Sequence, residues 1–174
     1  MIELLEKIIR ILDLMHVPYM LSGSVAMNLY AEPRTTQDID LIIELLPEDV
    51  PNLVKLLGEE FYFSSEAMYD AIDHMGMFNV IDYQSGMKVD MIMRNKDIFE
   101  QVKFQNRRKT DYLGIELWII TLEDLVISKL RWIQDVHSSK QITDISNLLT
   151  NEKIDFEYIK RWISILNLKT YNLI

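Results

Sequence analysis

Apolar side chains recur at Ile2, Leu5, Ile8, Ile9, Leu12 and Met15, the three-and-four spacing of a helix with one buried stripe, so the chain opens with a helix over residues 2–15. Pro18 disfavours its continuation. Val17 to Leu21 is a short apolar run suited to a buried strand, and it empties into the turn-forming Ser22-Gly23-Ser24, with a short helix expected over Val25 to Tyr30. From Asp38 the period changes to two. Ile39, Leu41 and Ile43 fall on one face and Asp38, Asp40 and Ile42 on the other, which makes this the best-patterned strand of the chain.

Pro47 followed by Glu48 and Asp49 suits a helix start, and the helix is expected to run to about Glu60. Ser65 to Met75 reads as a second helix. Phe78–Asp82 and Lys88–Met93 alternate as strands, joined as a hairpin by Tyr83-Gln84-Ser85-Gly86. Asp97 to Gln105 reads as helix, Arg107-Arg108-Lys109 as a basic loop, and Leu113–Ile120 as a last strand. Thr121 with Asp124 resembles a capping box opening a helix through Trp132, and helices near Gln141–Leu149 and Phe156–Leu166 finish the chain. The order predicts an α/β (α+β) fold: a small mixed sheet of few strands with helices packed on it, residues 1–120, and a C-terminal helical cluster, 121–174, packed on that core as one body.

A chain of 174 residues, 49% hydrophobic and 26% charged, can bury one substantial core. With no cysteine there is no disulfide, thiolate metal site or cysteine nucleophile, and the expected compartment is the reducing cytoplasm. Glu3 and Glu6 interrupt the N-terminal apolar run, and no stretch is long enough for a membrane span, so no membrane partner is expected. A net charge of −9 disfavours a large nucleic-acid footprint. That charge is uneven: residues 1–102 carry 7 Lys+Arg against 18 Asp+Glu, and residues 103–174 carry 11 against 9.

The chemistry concentrates where the period changes. Asp38 and Asp40 leave the same face of their strand, so their carboxylates can converge, and a divalent cation relieves their repulsion; magnesium suits one or two carboxylates plus phosphates and water. Asp90 lies on another strand and joins them if the two strands are neighbours. Gly23 lets backbone approach a phosphate, Ser24 offers a hydroxyl, and the amides of the helix that follows add donors. Carboxylates beside such a turn suit phosphoryl transfer with two metal ions about 4 Å apart.

The stretch LSGSVAMNLYAEPRTTQDIDLII resembles the signature of the nucleotidyltransferase superfamily that includes DNA polymerase β, in which Gly-Ser or Gly-Gly precedes Asp-x-Asp; here thirteen residues separate Ser24 from Asp38. GMKVDMIM is similar to the element that supplies that family's third carboxylate, which carries Asp90 over, with Asp82 as its rival at a turn. The resemblance implies transfer of a nucleoside monophosphate from a nucleoside triphosphate (NTP), releasing pyrophosphate. It implies Asp38, Asp40 and Asp90 as the catalytic and metal-binding residues, two Mg²⁺ ions, and Gly23 and Ser24 on the terminal phosphates. Arg-Thr-Thr-x-Asp-Ile-Asp with LEDLVISKLRWIQD and QITDISNLL is similar to the AbiEii-like abortive-infection toxin group, whose later lysine and aspartate fall on Lys129 and Asp144. That similarity implies a tRNA or protein acceptor and a cognate antitoxin. A small hydroxylated antibiotic as acceptor, or a protein that keeps the fold without catalysis, is the alternative.

Around this constellation the readings divide. Arg34 pairs a phosphate or answers Glu32; Lys129 touches phosphate or covers apolar surface with its stem; Asp144 is functional or pairs within its own helix. Arg107, Arg108 and Lys109 are a solvated loop or an RNA contact. His16, His74 and His137 have no metal-ligand spacing, the ten methionines are core filling, and Trp118, Trp132 and Trp162 belong to the core.

Overall fold

The computed structural model describes residues 1–136 and 138–174, so His137 lies outside the described residues. Helix α1, Ile2–Leu14, turns Leu4, Leu5, Ile8, Ile9 and Leu12 inward, and strand β1, Tyr19–Ser22, follows it with every residue buried. The remaining strands are β2, Asp38–Ile43; β3, Phe61–Tyr62; β4, Met77–Asp82; β5, Lys88–Met93; β6, Arg108–Tyr112; and β7, Ile115–Ile119. Between and after them lie α2, Gly23–Met27; α3, Val50–Leu57; α4, Ser65–His74; α5, Ile98–Gln105; α6, Leu122–Asp135; α7, Ser139–Leu149; and α8, Phe156–Leu166. The long helix expected over 47–60 is divided: 3-10 turns at Pro47–Asp49 and Gly58–Glu60 flank α3. The short helix expected from Val25 begins two residues earlier, at Gly23.

The fold is mixed α/β, as its pattern predicts, but its sheet has seven strands rather than few, in the order β3-β4-β5-β2-β1-β7-β6. Two strands went unforeseen. β3 is two residues long, and β6 occupies the place of the expected basic loop, its run Arg-Lys-Thr-Asp-Tyr pairing antiparallel with β7 at the sheet's edge. Charged residues on an edge strand discourage pairing with another chain, so the same letters fit a loop or an edge.

The alternation in β2 and β5 becomes two unlike faces. Ile39, Leu41, Ile43, Val89 and Met91 lie on one face without solvent exposure, and they share one apolar core with the inward stripes of α1, α3 and α4. Burying a side chain such as Leu53 in α3 contributes about 1.5–3 kcal/mol. The other face carries Asp38, Asp40 and Asp90 and is partly open. Across it, α6 is anchored at its start by Thr121, whose hydroxyl accepts from the Asp124 amide and donates to the Asp124 carboxylate; this is a threonine cap, and the return bond to the Thr121 backbone amide that would complete the expected capping box is replaced by one to its hydroxyl. Helices α7 and α8 pack on α6. Asp124, fully buried, takes two further donors, Asn106 after α5 at 3.2 Å and the Tyr158 hydroxyl of α8 at 2.8 Å. Among the described residues, no helix is long and apolar enough to cross a membrane.

Candidate active site

β2 and β5 are neighbours and run parallel, pairing Asp38 with Lys88, Asp40 with Asp90 and Ile42 with Ile92. On its other side β2 pairs antiparallel with β1, which sets Ser22 beside Asp40. Paired residues on adjacent strands are about 5 Å apart at the backbone, so Ser22, Asp40 and Asp90 form one row across the sheet. Asp82 pairs with Phe61 on the opposite face of β4, where Oδ2 accepts from the amide of Ser85 at 2.8 Å and from its hydroxyl. It shapes the β4–β5 turn and does not reach the row.

Gly23, directly after β1 and first in α2, has φ of 63°, and a side chain there would overlap the Asp40 carboxylate. Glycine is therefore needed twice over, for the left-handed backbone and for the closeness of Asp40. Helix α2 is only five residues long, so what this turn offers an anion is its local amides rather than the dipole of a long helix.

Each carboxylate is held differently. Thr36, buried, donates to Oδ1 of Asp38 at 2.7 Å. Lys88 donates to Oδ2 of Asp90 at 2.8 Å, while Oδ1 of Asp90 is buried without a hydrogen-bond partner. Burial, then the charges of Asp38 and Asp90, raise the Asp40 pKa to about 6, although Lys129 and the Ser24 backbone pull it back. The Lys88 amine is raised by its hydrogen bond to Asp90. Among the described residues no three acidic or histidine side chains already close on one point. The aspartates share a face and a cleft, but Lys88 and Thr36 hold two of them individually, as expected for like charges at close quarters.

Two cations of the site, Arg34 and Lys129, converge on Asp144. Arg34 clamps it with two hydrogen bonds of 2.8 Å, through Nε to Oδ1 and Nη2 to Oδ2, and Nη2 also donates to the Ser24 hydroxyl at 2.6 Å. Lys129 donates to Oδ2 of Asp144 at 2.9 Å and to Gln141, one turn earlier on α7, at 2.9 Å. Arg34 thus answers Asp144 and Ser24 rather than Glu32, and Asp144 pairs outside its own helix. Burial alone would raise the Asp144 carboxyl, but the hydrogen bonds from Arg34 and Lys129 outweigh it and hold the group below its usual range. Burial pushes the Lys129 amine down and Asp144 opposes that push; with a contact of 2.9 Å and Asp144 1% exposed, both groups are charged partners of one network.

Ser22, Gly23, Ser24, Asp38, Asp40, Asp90, Lys129 and Gln141 line a cleft of about 790 Å³, with Arg34 and Asp144 behind that lining. One wall is the carboxylate face of the sheet and the other is α6, with Leu125, Ser128, Lys129 and Trp132 at helical spacing. Asp97, Glu100, Lys103, Arg131 and Asp135 lie along it as well. Trp132, expected in the core, is 48% exposed in this cleft, and Met75, Met77 and Met93 line it too, whereas Trp162 is buried and Trp118 is partly buried. Arg107 lies in the loop between α5 and β6 but is not a freely solvated cation: its guanidinium lies over Phe104 at 4.1 Å and over Trp118 at 5.0 Å. Arg108 and Lys109 lie on edge strand β6 and do not line the cleft, and Lys109 donates to Glu116 of β7 at 2.6 Å. His74 is exposed and faces Asp70.

Four neighbours escaped the pattern of the sequence: Thr36, Lys88 as partner of Asp90, Gln141 and Trp132. Three carried a local signal, since Lys88 is two residues from Asp90 on a strand, Gln141 three from Asp144 and Trp132 three from Lys129 on helices.

A family described as a nucleotidyltransferase of unknown function (DUF6036) matches residues 1–172. No curated protein matches the sequence at a significant level. The antibiotic-resistance factor ANT(2'')-Ia, solved with adenylyl-2''-tobramycin, superposes with a TM-score of 0.61 at 15% identity, over 95% of this chain and 95% of that one. The lincosamide antibiotic adenylyltransferase LnuA, lincomycin-bound, gives 0.51 at 16% identity over 82% and 92%. An antigenic nucleotidyltransferase-like protein from Paracoccidioides brasiliensis gives 0.54 at 18% identity over 83% and 72%. At such identities the likeness is one of fold.

Proposed function

The chain belongs to the DUF6036 nucleotidyltransferase family, and from that premise we propose that it transfers a nucleoside monophosphate from an NTP to an acceptor hydroxyl, releasing pyrophosphate. The observation that carries this reading is the in-register row Ser22–Asp40–Asp90, with Gly23 closed against Asp40. Asp38 and Asp40 would hold two Mg²⁺ ions, with Asp90 on the acceptor-side ion. The donor set fits: hard carboxylate oxygens on one face, mutual repulsion that raises Asp40, and a buried Asp90 oxygen with no partner. Bound there, the ions supply positive charge to the attacking and leaving oxygens of an in-line displacement.

The chain's own groups do the rest. Backbone at Gly23 and the hydroxyl of Ser24 contact the terminal phosphates, and Arg34 and Lys129, aimed by Asp144, supply positive charge beside them. The acceptor oxygen bonds to the α-phosphorus as the bond to the bridging oxygen breaks, pyrophosphate departs, and the acceptor proton passes to Asp90 and then to water.

For the acceptor, a small hydroxylated molecule is favoured by the bounded cleft and by carboxylates along it that repel a polyanion. Of the similar structures, one is a lincosamide antibiotic adenylyltransferase by name and another, an antibiotic-resistance factor, was solved with adenylyl-2''-tobramycin, which agrees. A tRNA or protein acceptor with a cognate antitoxin, the AbiEii-like reading, rests on the Lys129 and Asp144 pattern, which the contact between them supports. The basic run 107–109 adds nothing to it, being outside the cleft.

Calorimetric titration of the four non-hydrolysable NTP analogues with Mg²⁺ tests the donor site. Binding of one analogue by the wild type, lost in Asp38→Asn/Asp40→Asn, is the expected result. No binding of any analogue would transfer the chain to the class of partner-binding proteins that keep this fold without catalysis.

A further inference from the structure

Tryptophan on a core-facing stripe of a helix is ordinarily buried, yet Trp132 is 48% exposed, whereas Leu125, two turns earlier on the same stripe, is 1% exposed. Leu125, Ser128, Lys129 and Trp132 all line the cleft while Leu130 and Ile133 beside them stay buried, so Trp132 is the open end of the cleft-facing side of α6. Lys129 donates to Asp144 of the Ser24–Arg34–Asp144 network, and Trp132 leaves α6 three residues later, about 4.5 Å of axial rise beyond the residue that the phosphate reading places beside the triphosphate.

The sheet continues the argument. On the carboxylate face, register places Ile42, Ile92 and Met77 in a second row directly beside Asp40, Asp90 and Asn79. Met77 is 51% exposed and Ile92 is half-buried, so an apolar shelf adjoins the aspartates within the cleft that Trp132 lines. An open indole and an adaptable apolar shelf on the two walls of one cleft suit a flat ring that is apolar on its faces and polar at its edge.

We propose that Trp132 is the stacking surface for the nucleobase of the donor, with the Ile92–Met77 shelf on the opposite wall. The assignment rests on the phosphate-transfer reading above, because it is the phosphate site that fixes which ring reaches Trp132: the ring attached, through one sugar, to the α-phosphate held at the aspartates. Stacking tolerates any base, so the site confers affinity for nucleosides over bare phosphates rather than choice among bases.

The test compares two probes, each with Mg²⁺: inorganic tripolyphosphate, which lacks sugar and base, and the non-hydrolysable NTP analogue that binds best. Wild type is set against Trp132→Leu, which keeps apolar bulk without a π face, and Trp132→Phe, which restores one. The expected result is about tenfold weaker binding of the analogue to Trp132→Leu, recovery in Trp132→Phe, and equal tripolyphosphate affinity in all three. Intrinsic fluorescence provides a second readout, since the analogue quenches the exposed indole in wild type and the quench disappears in both variants. Unchanged analogue affinity in Trp132→Leu would overturn the assignment and leave the acceptor as the ring that Trp132 meets. Failure of wild type to bind either probe would instead sink the phosphate-site reading itself.

Discussion

Gly23 and Asp40 occupy each other's space: there is no room for a Cβ on the glycine without displacing the carboxylate of the aspartate. This contact couples the turn proposed to meet the phosphates to the residue proposed to hold the metals, so a change in one is felt by both.

Gly23→Ala is accordingly expected to lower stability by about 1–2 kcal/mol from the left-handed backbone alone, with more from the overlap with Asp40. Mg²⁺-dependent binding of nucleotide should be lost with it. Gly86→Ala is the control, because φ there is also positive at 68° but nothing lies near its Cβ. Thermal denaturation with calorimetric titration separates the two effects; a Gly23→Ala protein that binds nucleotide normally would contradict the coupling.

Asp40 also makes the site costly to fold. Its carboxyl titrates near 6 in the folded chain against about 4 when unfolded, so the group is neutral in both states below pH 4 and adds no penalty there. As pH rises through 4 to 6 the unfolded chain loses its proton first, folding is disfavoured, and the full penalty is present above pH 6. Without metal, Asp40→Asn should stabilise the protein by about 1–3 kcal/mol at pH 7, an advantage that vanishes by pH 4. Added Mg²⁺ should raise the wild-type midpoint and leave the variant's almost unmoved. Denaturant titration across pH checks both.

How far the sequence reached is visible in these same residues. Strand β2 and strand β5 were legible because alternation is local and strong, and their register follows once they are neighbours. Strand β6 was not, because an edge strand without a core-facing stripe has the letters of a loop. Trp132 was misjudged since helical spacing identifies a face but not whether core or cleft lies against it. The Arg34–Asp144 clamp joins residues 110 positions apart, a distance that no local period encodes.

That clamp yields a further prediction. Asp144→Asn leaves Arg34 and the buried Lys129 without their shared counter-charge, and breaking a buried pair in this way costs about 3–5 kcal/mol. Because Arg34 is partly exposed, the lower end applies. Lys129→Met with Asp144→Leu removes both members of the buried pair and should be less destabilising than the sum of the single changes. A double-mutant cycle by denaturation measures the difference, and strict additivity would show that the contact carries no coupling.

The C-terminal helices provide the last prediction. We propose that residues 121–174 fold with residues 1–120 as one cooperative body, a reading supported by Asp124, which gathers donors from Thr121, Asn106 and Tyr158 on three separate parts of the chain. Tyr158→Phe removes one donor from a fully buried carboxylate, together with the oxygen that accepts from Asn106 at 3.0 Å, while keeping the ring beside Trp162, so it separates the hydroxyl's hydrogen bonds from the packing. A hydrogen bond to a charged group contributes about 1.5–3 kcal/mol, and that loss should shift a single unfolding transition downward as a whole. Tryptophan fluorescence and far-ultraviolet circular dichroism should then report the same midpoint in wild type and variant. Two separated midpoints in Tyr158→Phe, with the helical signal melting first, would mean that the cluster folds as a unit of its own and that the Asp124 network only docks it.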